Sequence, residues 1–132
     1  MIKVLIPSDS DFNYNQCKIL YENIQELLQD YQKFDEVINN TFFYSFLQDD
    51  KHIGCIYYYE QDNKLYVNGF SYRKTHILNI ECLKKSLDWW NCDIFARIYN
   101  KSAIFTLLKC GFKKVDKNLY KYERRIKNGR RL

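Results

Sequence analysis

Proline occurs once in the chain, at Pro7, and alanine only at Ala96 and Ala103. The two histidines, His52 and His76, do not belong to a run of cysteines or acids with metal-ligand spacing, so no metal site is expected. Five cysteines are an odd number. They contain no C-x-x-C pair and fall mostly inside apolar runs, where a thiol behaves as a small hydrophobe. A reducing, cytoplasmic setting is the expectation, and a zinc site is not. No stretch approaches the roughly 20 apolar residues that cross a bilayer, and Met1 to Pro7 carry only a short apolar run with Lys3. Nothing marks the chain for secretion or for a membrane. A phosphate-binding G-x-x-x-x-G-K-S/T loop and a Ser-His-Asp arrangement are also missing.

What is present is apolar and aromatic. With 132 residues, 46% hydrophobic and 17% aromatic, the chain can build one core, and a single domain over residues 1–125 is expected. The net charge of +5 is concentrated at the C-terminus. Lys121, Arg124, Arg125, Lys127, Arg130 and Arg131 face only Glu123 there, which leaves the rest neutral. A neutral body argues against a nucleic-acid groove, and residues 126–132 read as a basic tail. The run Tyr57-Tyr58-Tyr59 could stack bases, but alternate strand residues face opposite sides, so sheet packing is the better reading.

Periodicity divides the chain into elements. Ile2, Val4 and Ile6 alternate before Pro7, which predicts a short strand. Leu20, Ile24, Leu27, Leu28 and Tyr31 recur at helical spacing, predicting helix over residues 12–39 in one or two pieces. Phe42 to Leu47, Ile53 to Tyr59 and Lys64 to Phe70 are rich in aromatic and β-branched residues, with short polar connections that favour successive hairpins. A helix from Thr75 to Trp90 follows, with Ile77, Ile80, Leu83, Leu87 and Trp90 inward. Asp93 to Ile98 reads as a strand. Lys101 to Cys110 reads as a helix burying Ala103, Ile104, Leu107 and Leu108, with Gly111 just past its end. Phe112 to Val115 and Leu119 to Glu123 form a last hairpin. The fold class is α/β: a mostly antiparallel sheet with a central parallel β-α-β element and flanking helices.

This order, together with Asn100-Lys-Ser-Ala103 opening the last helix and Gly111-Phe112 closing it, resembles the GNAT superfamily of acetyl-CoA-dependent N-acetyltransferases. The resemblance implies a cleft where two parallel strands splay apart. It also implies acetyl-CoA as cofactor and an amine acceptor on a small molecule or protein. Pantetheine would pair with the backbone near Val67, Asn68 and Gly69. The family's pyrophosphate loop, Arg/Gln-x-x-Gly-x-Gly/Ala, corresponds to Arg73-Lys74-Thr75-His76-Ile77-Leu78. Arg73 matches, and His76 and Leu78 stand at the two glycine positions. Asn100 and Ala103 would complete the cofactor site.

The catalytic positions depart from the family. Leu107 stands where a tyrosine commonly protonates the leaving thiolate, which leaves Tyr99, Tyr120 or Tyr122 as displaced phenols. Residues 64–70 contain no carboxylate, so Glu60 or Glu81 is the candidate base. Three roles remain open: an acetyltransferase in which Glu60 and Tyr99 serve catalysis, a non-catalytic descendant with a binding or assembly role, for instance in a virus particle, and a nucleic-acid module led by the basic tail.

Overall fold

A computed structural model describes residues 1–72 and 75–124. In chain order the elements are β1 (Ile2–Leu5), α1 (Tyr14–Leu28), α2 (Phe34–Asn40), β2 (Phe42–Gln48), β3 (Lys51–Gln61) and β4 (Lys64–Ser71). They continue with α3 (His76–Leu87), β5 (Ile94–Arg97), α4 (Lys101–Lys109), β6 (Lys113–Asp116) and β7 (Leu119–Tyr122). The strands form one sheet in the order β1-β2-β3-β4-β5-β7-β6. Neighbours are antiparallel except β4 and β5, which are parallel.

The turns follow from local chemistry. Asp49-Asp50 and Asp62-Asn63 all take positive φ, from 51° to 64°, the two-residue geometry whose twist matches the flanking strands. β3 is therefore longer than the sequence suggests, running almost to the turn at each end. The α1 helix stops where Gln29 enters the left-handed region at φ 53°. A new helix starts at Phe34, where the Glu36 side chain accepts from the Lys33 backbone N–H at 2.9 Å. The predicted helical stretch is thus two pieces.

Strand alternation divides the core in two. On one face α1 and α2 cover Phe43, Cys55, Tyr57 and Phe70 with Cys17, Leu20, Tyr21, Phe34 and Val37. On the other, α3 and α4 cover Ile56, Tyr58, Val67, Ile94 and Ala96 with Leu83, Leu87 and Leu107. Adjacent tyrosines accordingly part company. The Tyr57 hydroxyl donates to Asp30 at 2.7 Å on the first side, and the Tyr58 hydroxyl meets Ser86 Oγ at 2.6 Å on the second. Both rings are packing residues.

Several facing assignments differ from the expectation. Ile77 is 74% exposed, because α3 buries the stripe Cys82, Leu83, Ser86 and Leu87, and Ile77 shares the opposite side with Glu81 and Lys84. Leu108 is exposed beside Phe105, while Leu107 and Cys110 turn inward. Tyr31 lies beyond the α1 end and is exposed, and Leu27 is exposed at the rim of a cleft.

Candidate functional site

β4 and β5 hold together only briefly. Leu65 pairs with Ile94 and Tyr66 with Phe95, after which β4 continues to Ser71 paired with β3 alone. In an antiparallel pair half of a strand's N–H and C=O groups point away from its partner, so beyond Tyr66 those of β4 face the gap. The gap opens into a cleft of about 420 Å³. Val67, Asn68, Gly69 and Ser71 line one wall, and Ile98, Asn100, Ala103 and Leu107 the other. Leu27 and Leu28 of α1 and Asn79 and Cys82 of α3 close its sides.

The far wall is fixed by a helix start. Asn100 Oδ1 accepts from the Ala103 N–H at 2.8 Å, capping α4, and its Nδ2 reaches the Leu27 carbonyl on α1 at 3.4 Å. Gly111 follows α4 at φ 100°, the left-handed exit expected for it. On the near wall Gly69 and Gly54 let β3 and β4 approach closely. A Cβ on Gly69 would lie 2.9 Å from the Cys55 carbonyl, and one on Gly54 2.5 Å from the Phe70 carbonyl.

At the mouth, β4 turns into α3 through a small network. Asn79 Nδ2 donates to Ser71 Oγ at 2.8 Å, and the Thr75 hydroxyl lies 2.9 Å from Asn79 Oδ1 and 2.8 Å from the Tyr72 carbonyl. Thr75 therefore makes no side-chain cap to α3, which leaves the first-turn N–H groups without one. Leu78 packs toward the α3/α4 core. Arg73, Lys74 and the side chain of His76 lie outside the described residues. Sequence reading missed Asn79, whose position on the helix face toward Ser71 is a tertiary fact.

Of the expected cofactor residues, Val67, Asn68, Gly69, Asn100 and Ala103 are brought together on facing walls of the cleft, with Thr75 beside it. Neither expected catalytic residue lines it. Glu60 is exposed opposite Leu65, at the end where β4 and β5 are still paired, and Tyr99 is 43% exposed between two lining residues, Ile98 and Asn100. Glu81 is exposed on α3. Tyr120 is buried in the core and is not a lining residue. Among the described residues no carboxylate and no imidazole lines the cleft. Its phenol is Tyr72, whose hydroxyl lies 3.0 Å from His52 Nδ1 and whose pKa burial raises, so it stays protonated. Burial, with Glu81 nearby, pushes the Cys82 thiol up to about 12, too high for a thiolate nucleophile.

Behind Cys55 lies a second group that the sequence did not reveal. Cys17 Sγ, His52 Nε2 and Cys55 Sγ all lie within 4.8 Å of one another, and all three residues are buried. His52 and Cys55 are three apart, which in a regular strand sends side chains to opposite faces. The β2–β3 register slips between Phe46 and Leu47, so that Leu47 pairs with His52 but Phe46 with Gly54. This bulge turns His52 onto the face of Cys55. The Cys17 thiol is lowered to about 5 by its hydrogen bond with Cys55, against burial, with further help from His52 and Ser45. Burial raises the Cys55 thiol well above its usual value.

The sequence matches no family model and no curated protein sequence. The fold, however, is matched by solved structures over nearly the whole chain. An aminoglycoside acetyltransferase AAC(6')-Ib in complex with coenzyme A superimposes with a TM-score of 0.69 at 13% identity, covering 94% of this chain and 95% of that one. The chain has the GNAT fold. The Campylobacter jejuni N-acetyltransferase PseH with acetyl coenzyme A gives a TM-score of 0.60 at 16% identity, covering 92% and 96%. A GNAT family acetyltransferase from Elizabethkingia anophelis with acetyl-CoA bound gives 0.55 at 17%, covering 87% and 78%. The parallel β4/β5 pair and the helices on both faces of the sheet belong to this GNAT fold. No helix of the described residues is long and apolar enough to cross a membrane.

Proposed function

We propose that the cleft between β4 and β5 binds acetyl-CoA and that the chain transfers the acetyl group to a primary amine on a small molecule or protein. One observation carries this reading: the parallel strands part after two residue pairs and leave an unpaired backbone edge facing a cleft of about 420 Å³. Such an edge suits a pantetheine arm, whose amides pair as a strand does, along Val67, Asn68 and Gly69. The same N–H groups can polarise a thioester carbonyl. The pyrophosphate would lie against residues Arg73, Lys74, Thr75, His76, Ile77 and Leu78, where the start of α3 favours an anion. Leu78 stands at a position that is glycine in the family but directs its side chain to the core, which leaves the helix N–H groups open. Asn100 shapes the far wall, and Ala103 keeps α4 close to it.

Transfer should be slow. No base or carboxylic acid lines the cleft among the described residues, and Leu107, 4% exposed, fills the position where the family places its acid. Direct attack by the amine, with positioning as the main source of acceleration, is the mechanism the cleft supports. The same observations favour a second reading, a protein that keeps the cleft for binding or assembly without turnover. Titration calorimetry with acetyl-CoA tests the common premise, and saturation at 100 times the dissociation constant should add about 2.7 kcal/mol of stability. No binding at millimolar acetyl-CoA would remove the enzyme reading. Binding without acetylation of any amine in a panel would leave the second.

A further inference from the structure

We propose that Cys17, His52 and Cys55 form a zinc site, with the Ser45 hydroxyl in the fourth position, that ties α1 to β2 and β3. The distances fit the ion. With Zn–S near 2.3 Å and Zn–N near 2.0–2.1 Å, tetrahedral ligands stand about 3.5 Å apart for sulfur and nitrogen. His52 Nε2 lies 3.6 Å from Cys55 Sγ and 3.9 Å from Cys17 Sγ. Ser45, opposite Cys55 in the β2–β3 register, places Oγ 3.0 Å from His52 Nε2 and 3.6 Å from Cys17 Sγ. Four donor side chains from α1, β2 and β3 thus converge on one point.

The surroundings supply what a ligating imidazole needs. His52 Nδ1 lies 3.0 Å from the Tyr72 hydroxyl, which fixes the ring and leaves Nε2 facing the sulfurs, as metal-bound histidines are held by an oxygen behind them. Charge also balances. On binding, the two thiols release their protons to solvent, and two thiolates neutralise a divalent ion, so the loaded cluster brings no net charge into the core. All four donor residues are buried, Cys17 at 0% and Cys55 at 2% exposure, as in a structural site. This proposal does not depend on the transferase reading.

The test is metal analysis of the full chain purified without chelators under reducing conditions. About one zinc per chain is expected. Exchange for Co²⁺ should give the d–d bands of a tetrahedral ion with thiolate-to-cobalt charge transfer. Both should be lost in Cys17→Ala and in His52→Ala and kept in Cys92→Ser, whose thiol is exposed and outside the cluster. If the core variants do not fold, the wild-type cobalt spectrum decides alone. Absence of zinc together with absence of the charge-transfer band would overturn the proposal. So would an unchanged band in a folded Cys17→Ala protein, or a Cys17–Cys55 disulfide as the native state of the purified chain.

Discussion

Gly54 stands where β3 and β4 come too close for any side chain. A Cβ there would meet the Phe70 carbonyl oxygen at 2.5 Å and Ser71 Cβ at 2.7 Å, so one strand must move. Gly54→Ala should destabilise the protein by about 1–3 kcal/mol, read from chemical unfolding, and weaken acetyl-CoA binding, because the wall that shifts is the cleft wall. Leu107 poses the complementary question. Leu107→Tyr adds a phenol where the GNAT resemblance expects one, and a missing general acid can cost a factor of about 10² to 10⁴. Turnover on an accepted amine should rise with acetyl-CoA affinity near its starting value. No gain in turnover, with the variant folded and binding, would show that Leu107 is not the missing acid position.

At the scale of elements, the junction from β4 to α3 depends on Asn79. Its amide joins Ser71 at the end of the strand to Thr75 at the start of the helix. Asn79→Ala should cost about 1–3 kcal/mol, from two hydrogen bonds of roughly 0.5–1.5 kcal/mol each, and should speed amide hydrogen exchange in the first turn of α3. Exchange unchanged there would mean that the network does not hold the helix start. The elements themselves were largely legible in the sequence, because the apolar period changes cleanly from helical spacing around Leu20 to strand runs at Phe42. Their facing was less so. Leu83, Leu87 and Leu107 face inward as their spacing suggests, but Ile77 and Leu108 fit the same stripes by spacing alone and are exposed, while Cys82, Ser86 and Cys110 complete the buried faces. Spacing cannot tell these apart when apolar residues adjoin.

For the whole molecule, the last strand among the described residues is β7, Leu119–Tyr122, which lies between β5 and β6, and the sequence from Ile126 to Leu132 offers little apolar surface to bury. Truncation after Arg125 should therefore leave the melting temperature within error of the full chain, and a truncated chain that failed to fold would place the basic residues in the core. The sequence by itself determined the order of elements and the cap at Asn100, because apolar period, turn chemistry and capping act over a few residues. The resemblance to the GNAT family pointed to Val67, Asn68, Gly69, Asn100 and Ala103, which the structure brings together on facing walls of the cleft. Tertiary structure alone decided that among the described residues no carboxylate lines the cleft and that Glu60 lies at the other end of β4. It alone also decided that a one-residue slip in β3 brings His52 beside Cys17 and Cys55. These depend on register and on contacts between distant segments, for which local spacing carries no signal.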